Sequence, residues 1–247
     1  MDRMLYLAMS GASHAMKAQA VNANNLANVN TTSFRADLAA FQSIPVEGAG
    51  LESRVYSVAR DNGVDLGAGP TITTGRELDV AINGDGWFAI QRNDGSEGFT
   101  RAGNFRITSF GQLETDRGQP VLGNSGLPVI IPPAEKIEIA SDGTVSARPV
   151  GQTAATLVVV DRLKMVNPDP ATMQKGSDGV MTLKDGTISV ADASVTLSSG
   201  VLEGSNVNAI ESMVSMIALS RQFEMGVKMM KSAEENDKAS AQLLRAS

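Results

Sequence analysis

Cysteine is missing from all 247 residues. No disulfide framework holds this chain together, and its thiol content does not identify a compartment. Aromatic residues make up only 4%, Lys and Arg form no run, and the net charge is −6. Nucleic-acid binding needs a basic, aromatic-bearing face, so nucleic acid is not an expected partner. No apolar run approaches the ~20 residues that span a bilayer, and Leu157 to Val160 reads as a short strand. The opening MDRMLYLAMSGASHAM is interrupted by Ser10, Gly11, Ser13 and His14 and is already helix-patterned, which does not fit a cleaved leader. His14 is the single histidine. It stands next to Ser13, and neighbouring helix positions do not face each other, so the two do not form a nucleophile and its base. No Walker-type loop, Gly-x-Ser-x-Gly elbow or His/Cys cluster occurs, and Gly84-Asp85-Gly86 lacks the third glycine of a dinucleotide fingerprint. Catalysis, cofactors, metals and a small-molecule substrate are therefore not expected.

What is present is concentrated at the two ends. The chain is 42% hydrophobic with a mean hydropathy near zero, within the range of water-soluble proteins. Near the N-terminus, Leu5, Met9, Ala12, Met16, Ala20, Ala23 and Ala27 recur at spacings of three or four, close to the period of a coiled-coil seam. Near the C-terminus, Met213, Met216, Ser220, Phe223, Val227 and Met230 follow a similar register, widened by Ile210, Ile217 and Met229. Asn208 followed by Glu211 resembles a capping box. A helix starting there and continuing to Leu244, with only Gly226 inside it, would be on the order of 55 Å long. Amphipathic helices must bury their stripes, so the ends are expected to pair. Alanine buries little area, at roughly 25 cal/mol per Å², so a two-helix hairpin of this kind is weakly held. Apolar residues also extend beyond one face at Met225, Met229 and Met230, which points to self-association or insertion into a larger assembly.

Between the ends the pattern changes. Ile44-Pro45 and a series of glycines from Gly48 to Gly69 interrupt the first stretch, which reads as a connector with a short extended piece at Arg54 to Val58. From about Leu78 the pattern is that of a β-domain, with strands expected at Leu78–Ile82, Trp87–Gln91, Val129–Ile131, Ile137–Ile139, Leu157–Val160 and Val195–Leu197. Asp-Gly pairs at 85, 94, 142, 178 and 185 suit tight turns. Calcium loops are the rival reading, and they would need 6–8 oxygens where each turn supplies one carboxylate. The expected fold class is α+β: a terminal helical, coiled-coil-like domain from residues 1–34 and 205–247, an extended connector over 35–76, and a central all-β domain over 77–204.

One segment is specific. Asn24-Asn25-Leu26-Ala27-Asn28-Val29-Asn30-Thr31-Thr32-Ser33-Phe34-Arg35 resembles the N-terminal signature of the flagellar rod, hook and hook-associated axial proteins, with Ser33 and Arg35 in place of the usual Gly and Lys. The blocks LDVAINGDGWFAIQ from Leu78, GFTRAGNFRITSFGQLETDRGQPVLG from Gly98, and the C-terminal segment from Ser205 to Leu244 agree with it. The stretches Gly200 to Asn206 and Ser220 to Glu224 look most like the proximal rod members. The resemblance implies a structural subunit exported without a cleaved leader through the flagellar type III apparatus and assembled in the periplasm. Its implied partners are copies of itself, the distal rod protein and more proximal rod proteins. Leu5, Met9, Met16, Leu26, Ile217, Phe223, Val227 and Met230 are the expected helix–helix seam, and Asn24, Asn25, Asn28 and Phe34 are expected to fix the exit from the first helix. A distal rod or hook protein, and a soluble enzyme or sugar-binding β-domain that dimerises through its ends, are the competing readings.

Overall fold

The structure is a computed structural model that describes residues 2–39, 41–45, 55–59, 63–151, 157–176 and 178–246. Its contacts divide the chain into two units. The first comprises the described residues within Met1–Val29, Ala36–Asp65 and Val207–Ser247; the second comprises Asn30–Arg35 and those within Leu66–Asn206.

In the first unit, α1 (Asp2–Ala27) and α2 (Ala209–Ala246) pack against each other. They run antiparallel, since Asn22 meets Ser212 while Ala12 meets Gly226. Asn208 caps α2 from outside the helix: its Oδ1 accepts from the N–H groups of Ile210 at 3.0 Å and Glu211 at 3.3 Å. These are two of the donors that a helix start leaves without partners, and an Asn side chain at this position satisfies them. The expected connector contains more structure than its glycines suggest. Phe41–Pro45 pairs antiparallel with Val55–Ala59, and Asp37–Leu38 with Gly63–Val64. Gly48, Gly50 and Arg54 lie outside the described residues.

The second unit is built from antiparallel strands. Its largest sheet has the order Met165–Val166, Trp87–Gln91, Glu97–Thr100, Met181–Leu183, Met173–Lys175. The strand Trp87–Gln91 explains why its sequence is a continuous apolar run. Successive side chains leave a strand on opposite faces, and here both faces are covered. Phe88 and Ile90 enter a large core with Phe105, Leu113 and Val121, whereas Trp87 and Ala89 enter a second cluster with Phe99, Leu122 and Met181. Phe88 and Phe105 meet edge to face, with ring centroids 5.3 Å apart, a geometry that adds to the roughly 1.5–3 kcal/mol each ring contributes by burial. A three-stranded meander follows the order Ala134–Ile139, Thr144–Pro149, Val158–Arg162. Val80–Asn83 pairs with Thr196–Ser199, and Thr71–Thr73 with Val201–Glu203.

The glycine of every Asp-Gly pair has positive φ, between +66° and +132°. Three of these pairs close hairpins, at Asp94-Gly95, Asp142-Gly143 and Asp178-Gly179. At Asp94, Asp142 and Asp185 the next residue but one is Ser or Thr, whose backbone N–H and hydroxyl both donate to the carboxylate. Those hydrogen bonds hold the three carboxyls below their usual range and make each turn self-supporting. Val129–Ile131 is not a strand. The backbone there makes isolated contacts instead, with Val129 N–H donating to Val121 O and Ile131 N–H to Gly111 O. Val129 and Ile131 are nevertheless buried.

Candidate functional site

α1 turns its smallest residues towards α2. Ala8, Ala12, Ala15 and Ala18 are buried, and Gly226 of α2 lies so close that a Cβ there would stand 3.1 Å from the Ala12 methyl. Among the described side chains of α2, Ser212 and Ala233 are buried, and Asn22 Nδ2 donates to Ser212 O at 2.6 Å. Within one chain, then, the helix–helix contact does not follow Leu5, Met9, Met16 and Ile217. Those four are exposed, Met16 and Ile217 at 57% each. The reason is steric: alanine and glycine allow a close approach of the two helix backbones, and the long side chains are left on the outside. Phe223, Val227, Met230 and Leu26 are half-buried. The outer faces also expose Leu7, Met213, Val214, Met225 and Met229, together an apolar surface with no cover in the single chain.

The asparagines at the end of α1 have separate tasks. Asn25 is buried, and its side chain mimics a strand partner: Nδ2 donates to Asp37 O and Oδ1 accepts from Asp37 N–H, both at 2.8 Å. Asn28 Nδ2 donates to Asn24 O at 2.9 Å, satisfying a carbonyl at the helix end. Asn24 is exposed and contributes that backbone carbonyl. Phe34 belongs to the second unit, where Lys175 Nζ lies 4.2 Å from the centre of its ring.

The second half of the signature builds a charged cluster in the β-rich unit. Arg35 and Arg101 are both almost fully buried and converge on one carboxylate, Glu203, at 2.6 Å and 3.2 Å. Glu203 Oε1 also accepts from Gly69 N–H at 2.9 Å. Both guanidinium groups lie over the Trp87 ring, 5.8 Å and 5.5 Å from its centre, a cation–π geometry. Burial pushes the Arg101 guanidinium below its ordinary pKa; Glu203 opposes this and the positive charge of Arg35 adds to it. Arg101, Glu203 and Lys175 carry no local signal in the sequence, because the cluster joins residues far apart in the chain. Glu203 lies inside the stretch Gly200 to Asn206, and Arg101 inside the block from Gly98, but neither segment advertises a buried ion pair.

Ser33 closes this cluster and has a left-handed backbone, φ +55°, the only such non-glycine among the described residues. That conformation costs an L-residue about 1–2 kcal/mol. The Ser33 hydroxyl offsets it by donating to Arg101 O at 2.7 Å, with Glu203 O at 3.3 Å, while Ser33 N–H donates to Glu203 O at 2.9 Å. Ser33→Ala keeps the backbone cost and loses the hydroxyl, so it is expected to destabilise by about 1 kcal/mol. Ser33→Gly relieves the backbone while losing the same hydroxyl and is expected to stay within about 0.5 kcal/mol of the parent. Thermal melts of the two variants check the order, and an alanine variant as stable as the parent would contradict it.

Among the described residues, no helix is long and apolar enough to cross a membrane, and no group of His, Cys, Asp and Glu could hold a metal ion. Three family models match the chain. They are described as flagella basal body rod protein over residues 5–35, flagellar hook protein FlgE/F/G D1 domain over 81–147, and flagellar basal body rod FlgEFG protein C-terminal over 198–243. The flagellar basal-body rod protein FlgF of Escherichia coli (strain K12) is 44% identical over 99% of both chains, and that of Salmonella typhimurium (strain LT2) is 43% identical over the same share. The flagellar basal-body rod protein FlgG of Bacillus subtilis (strain 168) is 32% identical, covering 95% of this chain and 96% of its own. The chain belongs to the flagellar basal-body rod protein family, on the FlgF side of it, and is a structural subunit of the rod.

Proposed function

We propose that this subunit builds the proximal rod by packing the exposed apolar faces of α1 and α2 against neighbouring subunits in a coiled-coil-like arrangement. The observation that carries the reading is the uncovered apolar surface of a thin, alanine-seamed hairpin, with Leu5, Met9, Met16 and Ile217 exposed. Covering that surface in a polymer supplies hydrophobic stabilisation that the hairpin lacks alone. Residues 1–34 and 205–247 act as the assembling domain, with Phe223, Val227, Met230 and Leu26 at its margin and Asn24, Asn25, Asn28 and Phe34 setting how the chain leaves α1. Residues 77–204 form the β-domain, joined by the connector over 35–76. The neighbours are copies of this chain, the distal rod protein and more proximal rod proteins, assembled in the periplasm after delivery by the flagellar type III export apparatus. The role is mechanical, a segment of a shaft that transmits torque, and no catalysis is assigned to it.

A photo-crosslinking residue at Met16 in living cells tests this, with the captured proteins identified by mass spectrometry. Capture of the distal rod protein and a more proximal rod protein is the expected result. Capture of hook protein instead, or of no axial protein, overturns it. A matching variant, Met16→Glu, is expected to abolish rod assembly and motility while leaving the isolated chain within about 0.5 kcal/mol of the parent, because the position is exposed there. Motile cells carrying Met16→Glu would refute the interface.

A further inference from the structure

All the sulfur of this chain is thioether, since it has 12 methionines and no cysteine. The fold divides those methionines sharply. Met9, Met16, Met213, Met225 and Met229, on α1 and α2, are between 45% and 58% exposed, whereas Met165, Met173 and Met181 in the β-rich unit are 6% exposed or less. Met216 and Met230, also on α2, are half-buried. Among the described side chains, then, every exposed thioether belongs to the terminal helices. Several also stand close together. The helices run antiparallel with Ala12 beside Gly226, so Met9, three residues before the one, lies level with Met229, three residues after the other, and Met225 is one turn away on α2. A thioether in contact with solvent is open to two-electron oxidants, and this chain has no thiol to compete for them.

We propose that the exposed methionines of α1 and α2 are a reversible oxidation site of the unassembled subunit and that their sulfoxides block assembly, an inference that rests on reading these two helices as the assembling faces. The oxidant is a peroxide. The thioether sulfur attacks one peroxide oxygen, the O–O bond breaks as the S–O bond forms, and the departing hydroxide takes the proton of the transferred hydroxyl and leaves as water. Sulfur is oxidised by two electrons and the peroxide is reduced by two. A flexible apolar side chain becomes a polar one, a change that disrupts methionine-rich interfaces. A sulfoxide covered by a neighbour needs a hydrogen-bond donor, which an apolar interface does not supply. Assembly acts in the opposite direction: a neighbour seated on these faces shields the thioethers, so the free subunit is the sensitive form.

The purified full chain, carrying a photo-crosslinking residue at the exposed position Ile217, is treated with hydrogen peroxide, which catalase then removes. Peptide mass spectrometry locates the added oxygen. Met9, Met16, Met213, Met225 and Met229 are each expected to gain one oxygen before any of Met165, Met173 and Met181 does. Helix content, read by circular dichroism, is expected to hold, because the oxidised positions face solvent. Treated and untreated chains are then mixed with the distal rod protein and illuminated. The untreated chain is expected to crosslink to the distal rod protein or to a second copy, and the oxidised chain to lose that capture. Methionine sulfoxide reductases for both sulfoxide epimers are expected to restore it. No capture by the untreated chain overturns the assembly reading and this proposal with it. Where the untreated chain is captured, the proposal alone is overturned by an oxidised chain that still crosslinks or by buried methionines that oxidise as fast as the exposed ones. Helix lost on oxidation, or capture that the reductases do not restore, overturns it as well.

Discussion

Replacing Gly103 by alanine is expected to destabilise the β-rich unit by roughly 4 kcal/mol or more, the range reserved for substitutions with no room to relax. A Cβ at this position would stand 1.8 Å from the carbonyl oxygen of Val80 and 2.9 Å from its Cγ2. Val80 is fully buried, and its N–H donates to Gly103 O at 3.0 Å, so the two backbones are held together from both sides. Relief requires moving the strand Val80–Asn83, which carries Val80 and Ile82 into the main core and pairs with Thr196–Ser199. Gly126→Ala is the comparison. There φ is +79° but nothing lies within 4 Å of the added carbon, so only the backbone cost of about 1–2 kcal/mol applies. Urea unfolding followed by Trp87 emission measures both variants. A Gly103→Ala midpoint no lower than that of Gly126→Ala would show that the strand is free to move.

Gly103 illustrates what the sequence makes legible. It sits in RAGNFRI, inside a block that identifies the family, yet nothing local distinguishes it from glycines that only need a turn. Its requirement is a close approach by a strand more than twenty residues earlier, and such contacts leave no periodic trace. The Asp-Gly pairs are the opposite case. Their geometry is decided within four residues, and all five glycines have the positive φ expected. The α+β class was equally readable, because helical periodicity is confined to the ends and strand runs to the middle. Strand positions were less so. Trp87–Gln91 matched residue for residue because burial on both faces makes its first four residues apolar. Glu97–Thr100 and Thr144–Pro149 contain glycine, proline or charged residues and take their strand character from their neighbours. On α1, a spacing of three and four fits more than one stripe. The alanines at 8, 12, 15 and 18 won the intramolecular contact, although Leu5, Met9 and Met16 carry more hydrophobic surface, because close approach favours small side chains over large ones.

Glu203→Ala is expected to lower the melting temperature of the β-rich unit on the order of 10 °C. Two guanidinium groups, each about 95% or more buried, would lose the carboxylate between them. Breaking a buried ion pair by removing one member costs about 3–5 kcal/mol, mostly as uncompensated buried charge, and a unit of this size loses about 2–4 °C per kcal/mol. The damage is not confined to the ion pair. Glu203 Oε1 also holds the Gly69 N–H at 2.9 Å, and that hydrogen bond is lost with the side chain. Most of the effect should disappear when the charges are removed together. Arg35→Met, Arg101→Met and Glu203→Met combined place three apolar side chains around Trp87 and are expected to recover most of the loss, since a fully apolar replacement of a buried ionic triad is close to neutral. The difference between single and triple variants separates electrostatic cost from packing. If Glu203→Ala melts within about 2 °C of the parent, water reaches the two arginines and the cluster contributes little. If the triple variant is no more stable than the single one, the carboxylate acts through Gly69 and the strand Val201–Glu203 rather than through charge.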